Sequence, residues 1–398
     1  MNVEKIRMNP MNRAQLYPLP EEPKKHLERI QALLKESGVR VMLVENALDG
    51  NDHWLNDTIP MGMPAAGLTI VPDEGDQLLI SGYPLVPQGK AERLPGLPWS
   101  QTSAQIVSGL SAQDLTELLH GTNRLGVIYP ERMRASVYDY LMEQLPGLEL
   151  VDMTDAYAMV KAVRSPEELE VIQQVTKQCD VIFGAVPSMV RTGLYEKDVV
   201  GELRRTAYKT GSGGYAVFYQ AMVDLFSAPA GTQRETAPIY WPGRMLQRGD
   251  IVSVRAHISG MNGFYGCLGR CYVLGEGSAE LQDQWDAAVK AQQLTAAAMV
   301  PGCTLEQAGA AAEAWIRSRG YEPDLSSSIY SLGYWMSEAP MLGHPTAKLP
   351  LKAGMVFVVA PGVKKPDGDI AVACADTYVV TEAGAVRLNQ SPQDLVCL

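Results

Sequence analysis

The sequence predicts two domains of different class: an α/β domain over residues 21–158, behind an arm at 1–20, and an α+β domain over residues 159–398. Three observations carry this. The chain has 398 residues, beyond the size at which a single core keeps growing. In the first part, short apolar runs alternate with helical patterns, as in a sheet covered on both faces. In the second part, long helices bracket long alternating strands instead of repeating a strand–helix–strand unit.

The elements follow in order. Residues 1–20 are polar and punctuated by proline, and read as an arm. Glu21 to Ser37 places Leu27, Ile30, Leu33 and Leu34 on one stripe of a helix. After Gly38, VRVMLVE reads as a buried strand. GLTIVP and QLLISG read as strands around the acidic turn DEGD. Gln113–His120 reads as a helix, RLGVIY as a strand, Pro130–Gln144 as a helix and LELVDM as a strand. Ser165-Pro-Glu-Glu168 is a capping box with proline at the first helical position, and it opens a helix to about Met189. Helices are expected over Glu196–Thr210, Ser278–Met299 and Leu305–Arg319, with strands across Gly214–Leu274 and again in MVFVVAPGV, DIAVACADTYVVT and AVRL.

The stretch Gly249–Gly275 reads as two strands joined at Met261–Gly263. Val252, Val254, Ala256 and Ile258 alternate with Ser253, Arg255 and His257, so one face packs on a core and the other carries polar groups.

Bulk composition narrows the function. The formal charge is −11, which argues against a nucleic-acid or anionic-membrane partner, since both need a basic face. No run of about 18 apolar residues suggests a membrane span, and the N-terminus lacks the apolar segment of a secretory signal. The six cysteines form no CxxC pair and no disulfide framework. A cytoplasmic protein is expected.

Six blocks in order, VKAVRSPEELEVIQQV, RMLQRGDIVSV, NGFYGCLGRCYVLG, YSLGYWMSEAP, LKAGMVFVVAPGV and ACADTYVVTEAG, resemble the pita-bread family of methionine aminopeptidase, Xaa-Pro aminopeptidase, prolidase and creatinase. The resemblance implies a creatinase-type α/β N-terminal domain and a pita-bread C-terminal domain. Peptide-hydrolysing members hold two divalent metals with two aspartates, a histidine and two glutamates, hard ligands that turn a bound water into hydroxide. Carried onto this sequence, those positions fall on Arg255, Cys267, Tyr330, Ala360 and Ala375. The frame around them, Gly249-Asp250, Pro361-Gly362 and Asp376-Thr377, is kept. The family's further upstream histidine falls on Pro238 or Ile239. The resemblance therefore implies the fold without the metal centre, and neither a metal nor another cofactor is expected.

If position 255 faces the cavity, strand parity brings His257, Tyr265, Cys267 and Cys271 to the same face and puts Arg270 out of phase, as a structural residue. A fixed guanidinium in a cleft prefers an anion, most simply a carboxylate. The expected ligand is a small anionic substrate bound by Arg255, Tyr265, Tyr334, Trp335, Glu338, Tyr219 and Tyr240. His257 is the candidate general acid or base, Cys267 the candidate nucleophile and Tyr330 the candidate proton donor. His344 is kept as an outside candidate. Each has a plainer alternative: a pocket-filling, hydrogen-bonded histidine, an inert buried thiol, a space-filling tyrosine, and an ion pair of Arg255 with Glu338 or another acid. The expectation is a metal-independent hydrolase or lyase acting at a C–N or similar bond, against a non-catalytic protein that binds a small anion or a protein partner. The resemblance also implies a homodimer in which NDHWLND at 51–57 approaches the neighbouring site.

Overall fold

A computed structural model describes residues 22–46, 67–75, 77–81, 104–106, 116–117, 119–133, 135–211, 221–229, 243–260, 264–326, 328–366, 368 and 371–398. The arm, the 51–57 stretch, the Met261–Gly263 turn, Tyr219 and Tyr240 lie outside these residues. The chain divides into two compact units, Met1–Lys161 and Ala162–Leu398.

Among the described residues, the first unit holds a six-stranded sheet. Its strands are β1 (Val41–Asn46), β2 (Gly67–Pro72), β3 (Gln77–Ser81), β4 (Ala104–Ile106), β5 (Arg124–Val127) and β6 (Glu149–Asp152), in the order β4-β3-β2-β1-β5-β6. Its helices are α1 (Glu22–Glu36), α2 (Ala135–Gln144) and α3 (Thr154–Ala162). The strand β1 has no polar face because both faces are covered. Val41 and Leu43 pack with Leu125, Val137 and Leu141 on one side. Met42 and Val44 pack with Leu27, Ile30 and Leu34 of α1 on the other. The result is the three-layer arrangement that the alternation of elements implies.

Among the described residues, the second unit is built on a sheet of nine strands. Seven run in the order β12-β11-β13-β15-β9-β8-β7, with β16 (Gly384–Arg387) beside β15 and β17 (Val396–Cys397) beside β9. The seven are β7 (Ala221–Pro229), β8 (Asp250–Ser259), β9 (Tyr265–Val273), β11 (Ile329–Ser331), β12 (Glu338–Met341), β13 (Val356–Val359) and β15 (Ala375–Thr381). A separate short pair joins β10 (Glu322–Asp324) to β14 (Gly362–Lys364). Its helices are α4 (Pro166–Met189), α5 (Glu196–Lys209), α6 (Ala279–Ala298) and α7 (Leu305–Ser318).

The entry to α4 is the capping box read from the sequence. The Ser165 hydroxyl accepts from the Glu168 amide at 3.1 Å, and the Glu168 carboxylate accepts from the Ser165 amide at 2.8 Å. The helix then buries Val171, Ile172, Val175, Cys179, Ile182, Phe183 and Val186, a stripe with the 3–4 spacing of one face. That stripe reaches β9 closely because Gly266 has no Cβ. One placed there would meet Cys179 Sγ at 3.1 Å and Val175 Cγ1 at 3.2 Å. Val252, Val254, Ala256 and Ile258 join this core, so the apolar face of β8 is fixed against helices α4 and α5. The opposite face is thereby left for the polar residues.

Candidate active site

Register places the polar face of β8. On β9, Ser253 stands opposite Cys271, Arg255 opposite Gly269, His257 opposite Cys267, and Ser259 opposite Tyr265. Directly opposed residues of an antiparallel pair share a face, so Arg255, His257, Cys267, Cys271 and Tyr265 lie together, as parity requires. On the other neighbour, β7, Asp224 stands opposite Arg255 and Met222 opposite His257. Ala375 of β15 stands opposite Gly269. One row across four strands therefore reads Asp224, Arg255, Gly269, Ala375. The adjacent row reads Met222, His257, Cys267.

Tyr330 reaches this face from β11. Its hydroxyl lies 2.7 Å from His257 Nε2. The other ring nitrogen, His257 Nδ1, is buried without a partner. An unpartnered buried polar atom costs about 1–3 kcal/mol, so the site carries a hydrogen-bonding position that the described residues do not use. Burial, then the neighbouring Arg255 charge, lowers the His257 pKa to about 3. The imidazole is neutral near pH 7. Burial pushes the Cys267 thiol up to about 12, and the pull of Arg255 does not offset this. Burial also raises Tyr330 well above the ordinary phenol value.

Arg255 makes no hydrogen bond or ion pair among the described residues. Burial opposes its charge, yet Tyr330, Cys267 and Asp224 raise its pKa, and a guanidinium stays charged in any case. The Arg255–Glu338 pair considered from the sequence does not form. Glu338 instead meets Arg164 in a buried ion pair at 3.2 Å and accepts from the Trp335 amide at 2.8 Å. Gly333 leaves the room that the Arg164 guanidinium fills.

Several candidates turn out to be packing groups. Tyr334 stacks on Phe264 with centroids 4.2 Å apart. Tyr265 is buried and meets Trp335 edge-on at 6.1 Å. Glu338 is tied to Arg164, and Tyr265, Tyr334 and Glu338 are buried while Trp335 is half-buried. Cys267 is a protonated thiol at neutral pH, which corrects the nucleophile expectation: its environment lacks the depressed pKa that a reactive thiol needs. His344 caps a short 3₁₀ turn, accepting from the Thr346 amide at 3.3 Å. Arg270 is structural as expected, paired with buried Asp376 at 2.9 Å.

Sequence reasoning missed Asp224 and Arg164. Asp224 had a signal: AMVDLFSAP alternates, with Val223 and Leu225 in the core and Met222 and Asp224 on the other face. Arg164 had none, since its partner lies 174 residues away.

The comparisons with known proteins fit this architecture. Residues 170–382 match the model of metallopeptidase family M24. The uncharacterized peptidase YqhT of Bacillus subtilis is 23% identical over 377 residues, covering 94% of this chain and 99% of that protein. Creatinase from a Bacillus species is 23% identical over 290 residues, covering 68% of this chain and 67% of the relative. Among solved structures, dipeptidase PepE from Mycobacterium ulcerans superposes with a TM-score of 0.76 at 23% identity, covering 95% and 98% of the two chains. The Xaa-Pro dipeptidase from Bacillus anthracis gives 0.72 at 20%, covering 94% and 100%. The fold is the pita-bread fold of creatinase-like and prolidase-like hydrolases.

The family's description implies a metal, so the donor set at this face bears on it. The groups that meet there are a guanidinium, a neutral imidazole, a protonated thiol, a phenol, the methyl of Ala375 and, on the end strand β7, the single carboxylate of Asp224. Among the described residues, no three His, Cys, Asp or Glu side chains converge as a metal site requires. A fixed cation repels a metal ion and a methyl has no lone pair, so this donor set does not fit a divalent-metal centre. No helix among the described residues is long and apolar enough to cross a membrane. With its match spanning more than half of the sequence, the chain belongs to metallopeptidase family M24.

Proposed function

We propose that this protein is a creatinase- or prolidase-like enzyme that works without a metal on a small carboxylate-bearing molecule, by hydrolysis or elimination at a C–N or similar bond. The observation that carries the reading is an Arg255 without a hydrogen bond or ion pair among the described residues, on the same face as a His257–Tyr330 hydrogen bond of 2.7 Å. Arg255 anchors the carboxylate, a match of planar charge to planar charge. The pair handles protons. An imidazole held near pKa 3 is a poor host for a full positive charge, so a relay that never forms imidazolium suits it best. In a hydrolysis, water adds to the carbon of the scissile bond and gives one proton to Nδ1. Nε2–H passes its proton to the Tyr330 oxygen, and the Tyr330 hydroxyl proton goes to the leaving nitrogen. The imidazole changes tautomer, its charge does not change, and exchange with solvent restores it.

A product assay tests the reading. Chelator-treated protein is incubated with N-substituted small carboxylates and followed by mass spectrometry. The expected result is chelator-insensitive turnover that falls at least a hundredfold in Tyr330→Phe, the usual scale of a general acid's contribution. Turnover that vanishes with chelator and returns with a divalent metal contradicts it.

One observation favours a second reading, a binding protein without turnover. None of His257, Cys267 and Tyr330 titrates near neutral pH, whereas a catalytic acid or base is most effective near the working pH. Tight carboxylate binding with no product from any of these compounds selects that alternative.

A further inference from the structure

His257 and Tyr330 are the two ends of one row of residues across five strands. His257 of β8 stands opposite Cys267 of β9. Thr377 of β15 stands opposite Val358 of β13, and Val358 opposite Tyr330 of β11. Neighbouring strands lie about 4.8 Å apart, so on a flat sheet the ends of this row would be about 19 Å apart. Their side chains meet at 2.7 Å instead. The row is bent, and its ends touch across the concave side.

One link of the row is not made by backbone pairing. β15 pairs with β9 at Ala375–Gly269 and Asp376–Leu268, and the pairing stops there. At the next residue the backbone of β15 turns to the segment that follows β16. The Thr377 carbonyl accepts from the Leu388 amide at 2.8 Å, and the Thr377 amide donates to Asn389 Oδ1 at 2.7 Å. The Thr377 hydroxyl takes over the connection to β9. It accepts from the Cys267 amide and donates to the Cys267 carbonyl, both at 3.0 Å. Both residues are fully buried, so bulk water does not compete for these bonds. Since both polar groups of the Cys267 backbone go to Thr377, the Cys267–His257 pair is of the kind without backbone hydrogen bonds, in which the side chains stand closest.

We infer that Thr377 is the positioning residue of the His257–Tyr330 pair. Its hydroxyl closes the joint at the fork of β15 and so brings the two ends of the row within hydrogen-bond distance. A gap opened between Thr377 and Cys267 carries His257 away with its close partner, while Val358 keeps Tyr330 with β15. The proton relay proposed above needs the 2.7 Å distance, and Thr377 supports it without bonding to either member of the pair.

NMR of the full chain labelled with 15N in histidine alone tests this. The chain has five histidines, and His257→Gln identifies the His257 signals. Tyr330→Phe supplies their positions with the hydrogen bond lost. Thr377→Val keeps the shape of the side chain and removes the hydroxyl. It should move the His257 ring signals towards those of Tyr330→Phe and leave the other histidine signals in place. Thr377→Ser, which keeps the hydroxyl, should return them to the wild-type positions. Wild-type His257 signals in a folded Thr377→Val chain overturn the inference, as does a Thr377→Ser chain that behaves like Thr377→Val. Failure of both Thr377→Val and Thr377→Ala to fold also overturns it, because Thr377 then serves the fold as a whole. The positioning role takes its catalytic meaning from the relay. Signals that move as expected, with no turnover in the product assay, overturn the relay and leave the positioning role standing.

Discussion

Two arginines fifteen residues apart on a single hairpin, Arg255 on β8 and Arg270 on β9, differ in everything except their side chain. Arg270 is almost fully buried and saturated. Its guanidinium pairs with Asp376 at 2.9 Å and donates to the carbonyls of Gly269, Ala375, Ser391 and Pro392. Asp376 in turn accepts from Gln292 and Gln393. Arg255, on the opposite face of the ribbon, makes no hydrogen bond or ion pair among the described residues, and the groups that act on its charge are the Tyr330 phenol, the Cys267 thiol and the Asp224 carboxylate. A guanidinium taken out of water needs its hydrogen bonds met. Arg270 meets that need within the fold. Arg255 does not meet it among the described residues. The lesson is that position in the pleat, more than residue type, separates a saturated structural cation from one left open to other partners.

The contrast predicts its own largest effect. Asp376→Ala strands Arg270 in the core, and the loss should be about 3–5 kcal/mol in urea denaturation. Arg255→Met, by contrast, should leave the midpoint unchanged or raise it, because it removes a partly desolvated charge that forms no hydrogen bond or ion pair among the described residues. Equal losses in the two variants would break the comparison.

The imidazole beside Arg255 gives a pH-dependent test of similar rank. The folded pKa of His257 is about 3 against an ordinary 6.5. Between these values the unfolded chain binds a proton that the folded chain does not, so this group lowers stability as the pH falls from 6.5 towards 3. The full effect is of the order of a few kcal/mol. In His257→Gln this part of the slope disappears, and the stability difference between wild type and variant should rise with pH across that window. Parallel curves would mean that the imidazole is not held neutral.

A smaller effect sharpens the account of why the recognition face is held in place. Gly266→Ala introduces a methyl at 3.1–3.2 Å from Cys179 and Val175. It should cost about 1–3 kcal/mol by overpacking and should loosen α4 from β9. Smaller still, Ser165→Ala removes one half of the capping box and should cost about 1 kcal/mol. Both are read from denaturation midpoints, and neither should change ligand affinity at Arg255 by more than the shift in folded population.

Much of this was legible in the sequence, for reasons that the structure makes plain. The alternation of β8 fixed its two faces, because a strand with one buried face tolerates no slip in register. The capping box fixed the start of α4, and the out-of-phase position of Arg270 marked it as structural. What escaped was non-local. Glu338 has one acidic group and two candidate cations, and nothing in the order of residues says that Arg164 wins it. Tyr334 and Tyr265 look like lining groups until Phe264 and Trp335 are seen to cover them. The thiol of Cys267 looks reactive next to a cation, but burial outweighs that charge, and burial is a property of the packed core. Asp224 was readable by parity, yet only the pairing of β7 with β8 sets it opposite Arg255.

The most direct test of the central claim, that Arg255 is held unpaired for a carboxylate ligand, is a paired measurement on chelator-treated wild type and Arg255→Met. Small carboxylates and amino acids are titrated into each by calorimetry, and each is unfolded in urea. The account predicts binding to wild type without metal, loss of that binding in the variant, and unfolding midpoints that agree or favour the variant. Unchanged affinity in Arg255→Met, or a loss of stability on the scale of Asp376→Ala, would contradict it.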